Sequence, residues 1–382
     1  MPASRISRGS SPLTAALVPQ GMNAGVSNAP WAVSMRPARA FPQRAVMVKF
    51  TRAGFYRTGI LLSMRLRVAL LVLLSASGVR ADDTEKGLKT IKAADIQKHQ
   101  VVLAADAMEG REAGTDGGHK AAVYISEQLA KWKLRPGGAE ETYFQPIGGG
   151  GGKPQEKGKK NILAVWPGTD EKLKEEYVVV GAHYDHVGRG NRNSNGGKVG
   201  EIHNGADDNA SGASTVLDIA EAVSQCAFKR TVICMWFDAE ENALEGSRWW
   251  AANPTVPTDR VFAMVNCDMI GRNDPRKLII GVEKDAKGEP KYPKWVSLVK
   301  EVEKKAGMTW DWTSFDSFIR RSDHWPFMEK GIPALFFTAG LHADYHKETD
   351  DIEKINFVKE EMVGRIAFTI VSRAANLESP LK

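Results

Sequence analysis

The sequence predicts an α/β fold, in which a single domain is built on a central mixed, largely parallel β-sheet flanked by helices on both faces. Apolar runs of strand length alternate with helical segments along residues 161–376. These runs are continuous in apolar character, which is typical of strands buried on both faces of a sheet. A parallel crossover, right-handed in almost all proteins, is needed to join the strands predicted at 177–182 and 231–237 through one helix.

The individual elements follow from the residue pattern in chain order. Residues 94–133 predict two helices joined by a polar turn, because apolar side chains recur there mostly with helical spacing. Five glycines at 148–152 and the lysine-rich stretch after them predict a flexible surface loop. Strands are predicted at 161–166, 177–182, 231–237, 261–267, 277–282 and 334–338, and helices at 213–223, 247–252, 295–305 and 357–376. We find no internal repeat and no second core.

Charge is distributed unevenly along the chain. The 382 residues carry a net charge of +6, which by itself suggests an acidic partner such as nucleic acid. Residues 1–81, however, contain eleven Arg and Lys and no acid, whereas the remainder has 41 basic and 46 acidic residues, a net charge of −5. The remainder therefore predicts no nucleic-acid partner. With 42% hydrophobic and 26% charged residues, the composition also excludes collagen, coiled coil and wholesale disorder.

Residues 64–81 contain the three parts of a secretory signal peptide. Arg65 and Arg67 precede an apolar run at 68–74, and small residues then lead to a cleavage site that ends at Ala81. The apolar run is shorter than the roughly 18 residues that a membrane span needs. We therefore expect an exported protein, periplasmic or extracellular, with no stable membrane span after the signal peptide is removed.

The remaining boundaries follow from this signal. Residues 1–63 are rich in Ser, Arg, Pro and Ala without periodicity, and we interpret them as a disordered leader or as a start assigned upstream of the true one at Met64. An organelle transit peptide is the alternative. The mature domain is expected at 82–382.

The three cysteines are an odd number and cannot form a disulfide framework. Cys234 and Cys267 stand in apolar strand-like runs, which favours buried thiols for all three, Cys226 included. A bridge between Cys234 and Cys267 remains open because export would place the protein in an oxidising compartment.

Polar side chains come directly after the second predicted strand and before the helix that follows it. With a period of two, His183 and Asp185 lie on one side, and His186 is expected to point away. A carboxylate next to an imidazole can orient a metal-bound histidine. Asp207 and Asp208 stand just before the helix, where helix capping explains one acid but not two.

Further acids and an imidazole follow the later strands. Glu240 and Glu241 are adjacent after the third strand, and such a pair repels itself unless cations or protons neutralise it. A solvated acidic loop is the alternative. Asp268 follows the next strand and His346 follows the last predicted strand. Each of these residues, taken singly, is compatible with an ordinary core or surface role.

Taken together, these side chains indicate a metal site. Ligands bind at the carboxyl ends of the strands in open α/β sheets, and two imidazoles with several carboxylates are a ligand set for two divalent cations. Two such ions can activate a water molecule, and one carboxylate must stay off the metal to accept its proton. The pair Glu240 and Glu241 offers one carboxylate for each task.

A family resemblance rests on five segments that occur in this order: GAHYDH, GADDNASG, FDAEENALEGS, NCDMIG and YHKETDD. They resemble the motifs of the zinc-dependent exopeptidase family M28, the di-zinc aminopeptidases of bacterial and vacuolar type. The resemblance covers nearly all of residues 95–380, and it implies the zinc-exopeptidase fold, two Zn²⁺ ions and peptide substrates. The HExxH signature of thermolysin-type zinc proteases is absent from the sequence.

The resemblance also implies a role for each motif residue. Glu240 would be the general base that deprotonates a water bridging the two zinc ions, and Asp185 would orient His183. Tyr345 matches a position that helps to stabilise the intermediate in some members. No ligand role falls to His186, His203, His324 or His342. The implied metal ligands are His183 and Asp268 on one zinc, Glu241 and His346 on the other, and Asp208 between the two.

Three other functions remain open beside the aminopeptidase. They are a carboxypeptidase or dipeptidase of the same family, a glutaminyl cyclase-like enzyme with one zinc, and a non-catalytic binding module on the same fold. All five ligands and the base are present, which favours an enzyme. The sequence specifies neither an oligomeric state nor the preferred first residue of the substrate. Candidates for lining the substrate pocket are Trp310, Trp312, Phe315 and Phe318.

Overall fold

The computed structural model describes most of the chain, namely residues 81–148, 158–196 and 200–381, apart from the side chains of 81–83. The predicted leader, and the predicted signal peptide except for Ala81, lie outside the described residues. Among the helices that are described, none combines the length and the apolar composition that crossing a lipid bilayer would require.

Eight α-helices and nine β-strands form within the described ranges. The helices are α1 (Ala81–Thr90), α2 (Ala93–Leu103), α3 (Asp116–Lys131), α4 (Gly212–Ser224), α5 (Glu245–Ala252), α6 (Pro293–Glu303), α7 (His324–Glu329) and α8 (Phe357–Asn376). The strands are β1 (Arg135–Pro136), β2 (Phe144–Pro146), β3 (Lys160–Trp166), β4 (Tyr177–His183), β5 (Thr231–Phe237), β6 (Val261–Cys267), β7 (Lys277–Val282), β8 (Thr309–Asp311) and β9 (Ala334–Thr338). Every strand and helix predicted with explicit bounds is present, and its ends differ by at most two residues.

The described strands form one mixed sheet in the order β1-β3-β5-β4-β6-β9-β7-β8, and β2 pairs with β3. The four middle strands, β5, β4, β6 and β9, are parallel to one another. By contrast, β3 and β7 pair antiparallel with β5 and β9. The predicted sheet is therefore confirmed, and its antiparallel pairings lie to either side of a parallel centre.

Alternate positions of the strands form two apolar layers, one on each face of the sheet. Val178 and Val180 of β4 belong to the layer that packs on α1 to α4, α6 and α8. Val179 belongs to the other layer, where Trp250 of α5 stacks on Phe327 of α7 with ring centroids 4.7 Å apart. Burying each such side chain contributes about 1.5–3 kcal/mol, so the parallel centre is held rigidly between the helices.

The elements that the sequence analysis did not predict are short or peripheral. β1, β2 and β8 have two or three residues each, too few for a period to show. The three cysteines are buried thiols, as predicted. No bridge joins Cys234 to Cys267, and burial raises the pKa of each of these two thiols to about 12.

Candidate metal centre

The parallel centre of the sheet brings all seven predicted site residues to one edge, because the carboxyl ends of β5, β4, β6 and β9 meet there. One of them is the last residue of a strand, and the other six lie in the connections that follow the strands. His183 is the last residue of β4, and Asp185, Asp208, Glu240, Glu241, Asp268 and His346 lie in the connections after β4, β5, β6 and β9.

Three residues with left-handed backbone conformations turn the chain at this edge. Ala239, Met269 and His346 have φ values of 55°, 55° and 57°. Such conformations cost a non-glycine residue about 1–3 kcal/mol, so they persist only where the surroundings hold them. Side chains alternate between faces in a continuing strand, and the turn at Ala239 instead allows the adjacent Glu240 and Glu241 to enter one site.

One group of potential ligands contains His183, Glu240 and Asp268, with one ligand atom of each within 4.8 Å of the others. The Nε2 atom of His183 lies 3.3 Å from Oδ1 of Asp268 and 4.0 Å from Oε2 of Glu240. His183 and Asp268 are buried, and Glu240 is nearly so. Glu240, the predicted base, is therefore itself a member of this group.

The second group contains His186, Asp208, Glu241 and His346. The Nε2 atom of His346 lies 3.0 Å from Oδ2 of Asp208 and 3.0 Å from Oε2 of Glu241. The Nδ1 atom of His186 lies 3.0 Å from Oε1 of Glu241. Both carboxylate oxygens of Glu241 therefore face an imidazole.

Asp208 connects the two groups. Its Oδ1 lies 3.3 Å from Nε2 of His183, and its Oδ2 lies 3.0 Å from Nε2 of His346. This is the arrangement that a bridging carboxylate needs, with one oxygen for each group. The neighbouring Asp207 is directed elsewhere: it accepts a 2.6 Å hydrogen bond from the N–H of Gly271 and lies 3.2 Å from Nε2 of His342.

The expectation that His186 points away from the site is wrong. It relied on strand alternation, but β4 ends at His183, so the period of two does not reach His186. The rings of His186 and His346 meet edge to face, with centroids 5.5 Å apart. The other ring nitrogen of His186 is buried and has no hydrogen-bond partner among the described residues.

Asp185 lies behind His183 and supports several site residues at once. Its Oδ1 is 3.5 Å from Nδ1 of His183. Its two oxygens also accept the backbone N–H groups of Glu240 at 3.0 Å and of Glu241 at 3.3 Å. Fully buried, this carboxylate connects the end of β4 to the loop after β5.

Arg111 supports the site, although nothing in the sequence pattern predicts a role for it. Its buried guanidinium donates hydrogen bonds of 2.7–2.9 Å to the backbone carbonyls of Leu103, Tyr184, Asn204 and Gly205. These bonds join the end of α2 to the two loops that carry His186 and Asp208. A single arginine in a polar turn has no periodic signal, so only the structure reveals this function.

Asp350 supports the site from the segment that also carries His346. Its Oδ2 accepts the backbone N–H groups of Asp207 and Asp208, each at 3.0 Å. Its own backbone oxygen accepts the N–H of Ala206 at 2.9 Å. Asp350 therefore holds the loop of the connecting carboxylate against the loop of His346. It belongs to the last motif, but nothing in the spacing distinguishes it from Asp351.

The adjacent glutamates differ in proton affinity. Burial raises the pKa of Glu240 well above its usual value, and the opposing effect of His183 is smaller than that of burial and the nearby carboxylates combined. Burial and the charge of Asp208 act to raise the pKa of Glu241, but its hydrogen bonds with His186 and His346, together with the charge of His186, outweigh them and lower it. Burial lowers the pKa of His346, and its carboxylate partners reverse this and raise it to about 11.

The donor set fits divalent cations. Four carboxylates converge here, and among the described residues no Lys or Arg side chain forms a salt bridge with any of them. Buried carboxylates need protons or cations to offset their repulsion. Imidazole nitrogens with carboxylate oxygens, and no thiolate, suit zinc and similar ions. The four carboxylates are those of Asp208, Glu240, Glu241 and Asp268.

A pocket opens onto the first group and onto Asp208, and apolar side chains form its other wall. That wall includes Met269, Phe318, Phe336 and Leu341, with Thr338, Arg321 and Tyr345 completing the lining. Of the four aromatic candidates, only Phe318 lies among these residues. The expectation is wrong for the other three, because Trp310 and Phe315 are buried in the apolar layers and Trp312 packs against one of them.

Fold and site together define an α/β protein with a candidate metal centre of histidines and carboxylates at the carboxyl edge of a parallel sheet. Residues 161–371 match the sequence profile of Peptidase family M28. The chain belongs to this family.

Two named proteins are similar to this chain in sequence. Leupeptin-inactivating enzyme 1 of Streptomyces exfoliatus is 30% identical over 201 residues, covering 51% of this chain and 38% of that protein. A probable leucine aminopeptidase of Arthroderma benhamiae is 28% identical over 209 residues, covering 52% of this chain and 53% of that protein. The chain therefore spans about half the length, or less, of these curated relatives.

A solved structure shares the fold. BSAP, a zinc aminopeptidase from Bacillus subtilis, superposes with a TM-score of 0.56 at 18% sequence identity. The match covers 76% of this chain and 96% of that one. At this level of identity, the likeness concerns the arrangement of the sheet and its helices.

Proposed function

We propose that the protein is a di-zinc aminopeptidase that removes N-terminal residues from peptides. The observation that carries the proposal is the position of Asp208, which presents one carboxylate oxygen to each of two ligand groups. Membership of Peptidase family M28 supports hydrolysis of peptides. The names of the similar proteins support zinc as the metal and the amino terminus as the point of attack.

In this proposal each zinc would have its own imidazole and carboxylate, and Asp208 would serve both. His183 and Asp268 would hold one ion, and Glu241 and His346 would hold the other. Glu240 lies beside the first pair and is kept for proton transfer. His186 contacts Glu241 through Nδ1, which orients that ligand from the side opposite His346.

Zinc bound in this centre would polarise the scissile carbonyl and lower the pKa of a water molecule. Glu240 accepts the proton of the attacking water and then donates it to the leaving amine. Burial and the neighbouring carboxylates raise the pKa of Glu240, so its carboxyl group holds the proton between the two steps. Asp185 contacts the His183 ring and the backbone N–H of Glu240, and it keeps both in position during the reaction.

Tyr345 is placed to act on the substrate carbonyl. It lines the pocket, and its ring stacks on that of His346 with centroids 3.8 Å apart. Burial and three site carboxylates raise its pKa, so the phenol stays protonated and can donate a hydrogen bond. In the proposed reaction this bond stabilises the negative charge that develops on the carbonyl oxygen.

We also propose that the protein is exported. The support is the sequence of residues 64–81, with its basic start, its apolar run and its small-residue cleavage site. An exported enzyme would then encounter its peptide substrates in the periplasm or outside the cell.

The test of the proposed function is hydrolysis of aminoacyl p-nitroanilides by the purified protein. We expect cleavage of leucine p-nitroanilide, loss of activity with a chelator, and recovery when zinc is added. N-acetylated peptides should resist cleavage, because the proposed enzyme requires a free amino terminus. Turnover that survives complete removal of metal would contradict the proposal.

Zinc counting separates the alternatives. About two zinc ions per chain are expected, whereas one ion per chain with cyclisation of N-terminal glutamine would favour the cyclase. Cleavage of N-blocked peptides would favour a carboxypeptidase. Zinc binding without hydrolysis of any peptide would indicate a binding module.

A further inference from the structure

One cation lies among the residues that line the substrate pocket. Arg321 is the only Lys or Arg among the described lining residues, and it faces a set that includes Asp208, Glu240 and Asp268. The remaining wall is mostly apolar. A charged side chain in such a wall affects which substrates the pocket accepts, because a substrate group of opposite charge can pair with it.

Among the described residues, the neighbours of the Arg321 guanidinium are aromatic rings and not an acid. Its guanidinium lies 5.8 Å from the ring of Phe318 and 6.0 Å from the ring of Tyr345, with Nη2 3.5 Å from the tyrosine oxygen. Within the described ranges, no carboxylate lies in salt-bridge distance of it. Arg272, by contrast, pairs with Asp344 at 2.8 Å.

This arrangement leaves the hydrogen-bond donors of Arg321 available. A guanidinium has five N–H donors in a planar fork, and the single 3.5 Å contact to Tyr345 is long for a hydrogen bond. The side chain is exposed at the mouth of the pocket. The planar fork of a guanidinium is pre-organised, so less rotamer freedom is lost for each hydrogen bond that it forms with an anion.

We propose that Arg321 binds a carboxylate of the substrate and makes the enzyme prefer peptides that carry one near the scissile bond. This inference rests on the proposed peptidase function. The carboxylate belongs either to an acidic N-terminal side chain or to the free carboxyl end of a dipeptide. Both present the same planar pair of oxygens, which the arginine fork binds in a bidentate manner.

The test compares kcat/KM for two substrate pairs that differ in one negative charge. Glutamyl and glutaminyl p-nitroanilide differ in the side chain, and Leu-Gly and Leu-Gly amide differ at the carboxyl end. The wild-type enzyme should prefer the charged member of at least one pair, and that pair identifies the source of the carboxylate. Because each preference is a ratio on one enzyme, a general loss of turnover cancels.

The variant R321Q should lower the preference about tenfold, since a charge-assisted hydrogen bond is lost. R321K keeps the positive charge but lacks the guanidinium fork. Its preference for the charged substrate should fall between those of the wild type and R321Q. The control is R320Q, which removes the same charge one residue away. Arg320 is exposed, lies over the ring of Trp325 and is not among the lining residues, so the preference should not change.

Two outcomes overturn the inference alone: a wild-type preference for the neutral member of both pairs, or a preference that R321Q leaves unchanged. If the metal-loaded wild-type protein cleaves none of the four substrates and no other peptide, the proposed function fails and the inference with it. Chelator-sensitive cleavage of leucine p-nitroanilide keeps these two failures apart.

Discussion

At the scale of single residues, Glu240 and Glu241 show how neighbours in sequence acquire opposite chemistry. Glu241 has an imidazole on each oxygen, which favours its charged form. Glu240 is buried and lies near other carboxylates, and both effects favour its protonated form. Pairs of acids whose environments drive their pKa values apart are typical of acid–base catalysis.

We therefore expect E240Q to lower kcat for leucine p-nitroanilide about a thousandfold while leaving the zinc content unchanged. The amide cannot accept the proton of the attacking water, and general-base catalysis is worth roughly 10²–10⁴ in rate. The measurements are steady-state kinetics and zinc per chain after dialysis.

E241Q is the matched control, because it makes the same chemical change one residue away. It should release zinc, since a proposed ligand loses its charge. Near-normal turnover in E240Q, or equal zinc loss in both variants, would contradict the assignment of roles.

At the scale of structural elements, the site depends on loops that hold one another. The loop before α4 carries Asp208, the loop after β9 carries His346, and Asp350 connects them through two N–H···O hydrogen bonds. Arg111 closes the other side through backbone carbonyls. The distance between the two ligand groups therefore depends on residues that are not ligands themselves.

We expect D350A to weaken zinc binding and to lower the free energy of unfolding by about 2–4 kcal/mol, because two backbone N–H groups lose their acceptor. D350N should retain most of both properties. Burial and the adjacent Asp207 raise the pKa of Asp350 to about 7, so a neutral acceptor is tolerated there. Chelator competition and urea unfolding are the measurements.

The control is D351A, which removes an acid one residue further along the chain. Asp351 is partly exposed, and within the described ranges its carboxylate accepts only a 3.3 Å bond from Asn204, so this change should be nearly neutral. If D350A bound zinc as tightly as the wild type, the proposed connection between the loops would be wrong.

The structural elements also show what the sequence can and cannot predict. The strands β4, β5, β6 and β9 were predictable because continuous apolar runs have few alternatives to a buried sheet. The position of His186 was not, because it depends on where β4 ends. Likewise the left-handed turn at Ala239, which directs two glutamates into one site, occurs at a residue type that rarely adopts it.

At the scale of the whole molecule, charge distinguishes residues 1–81 from the rest of the chain. Residues 1–81 contribute all of the excess positive charge, and the rest of the chain is acidic with a net charge of −5. Part of that negative charge converges on the candidate metal centre. Bound dications would therefore offset it where it is most concentrated.

We expect the protein isolated from its native source to begin near Asp82, because signal peptidase would cleave after Ala81. N-terminal sequencing or intact-mass measurement checks this. A first residue within 1–63 would contradict export from Met64, and the transit-peptide alternative would then be tested by locating the protein in the cell.

The sequence by itself determined which residue types stand at the strand ends, since the apolar runs position the strands and the motifs follow them. The family resemblance implies two pairs of ligands with Asp208 between them, whereas only the tertiary structure decided which residues support these groups. His186, Arg111, Asp350 and Arg321 acquire their roles from partners in other loops, many of them far away in sequence. Such contacts depend on where strands end and how loops turn, and no local periodicity encodes either.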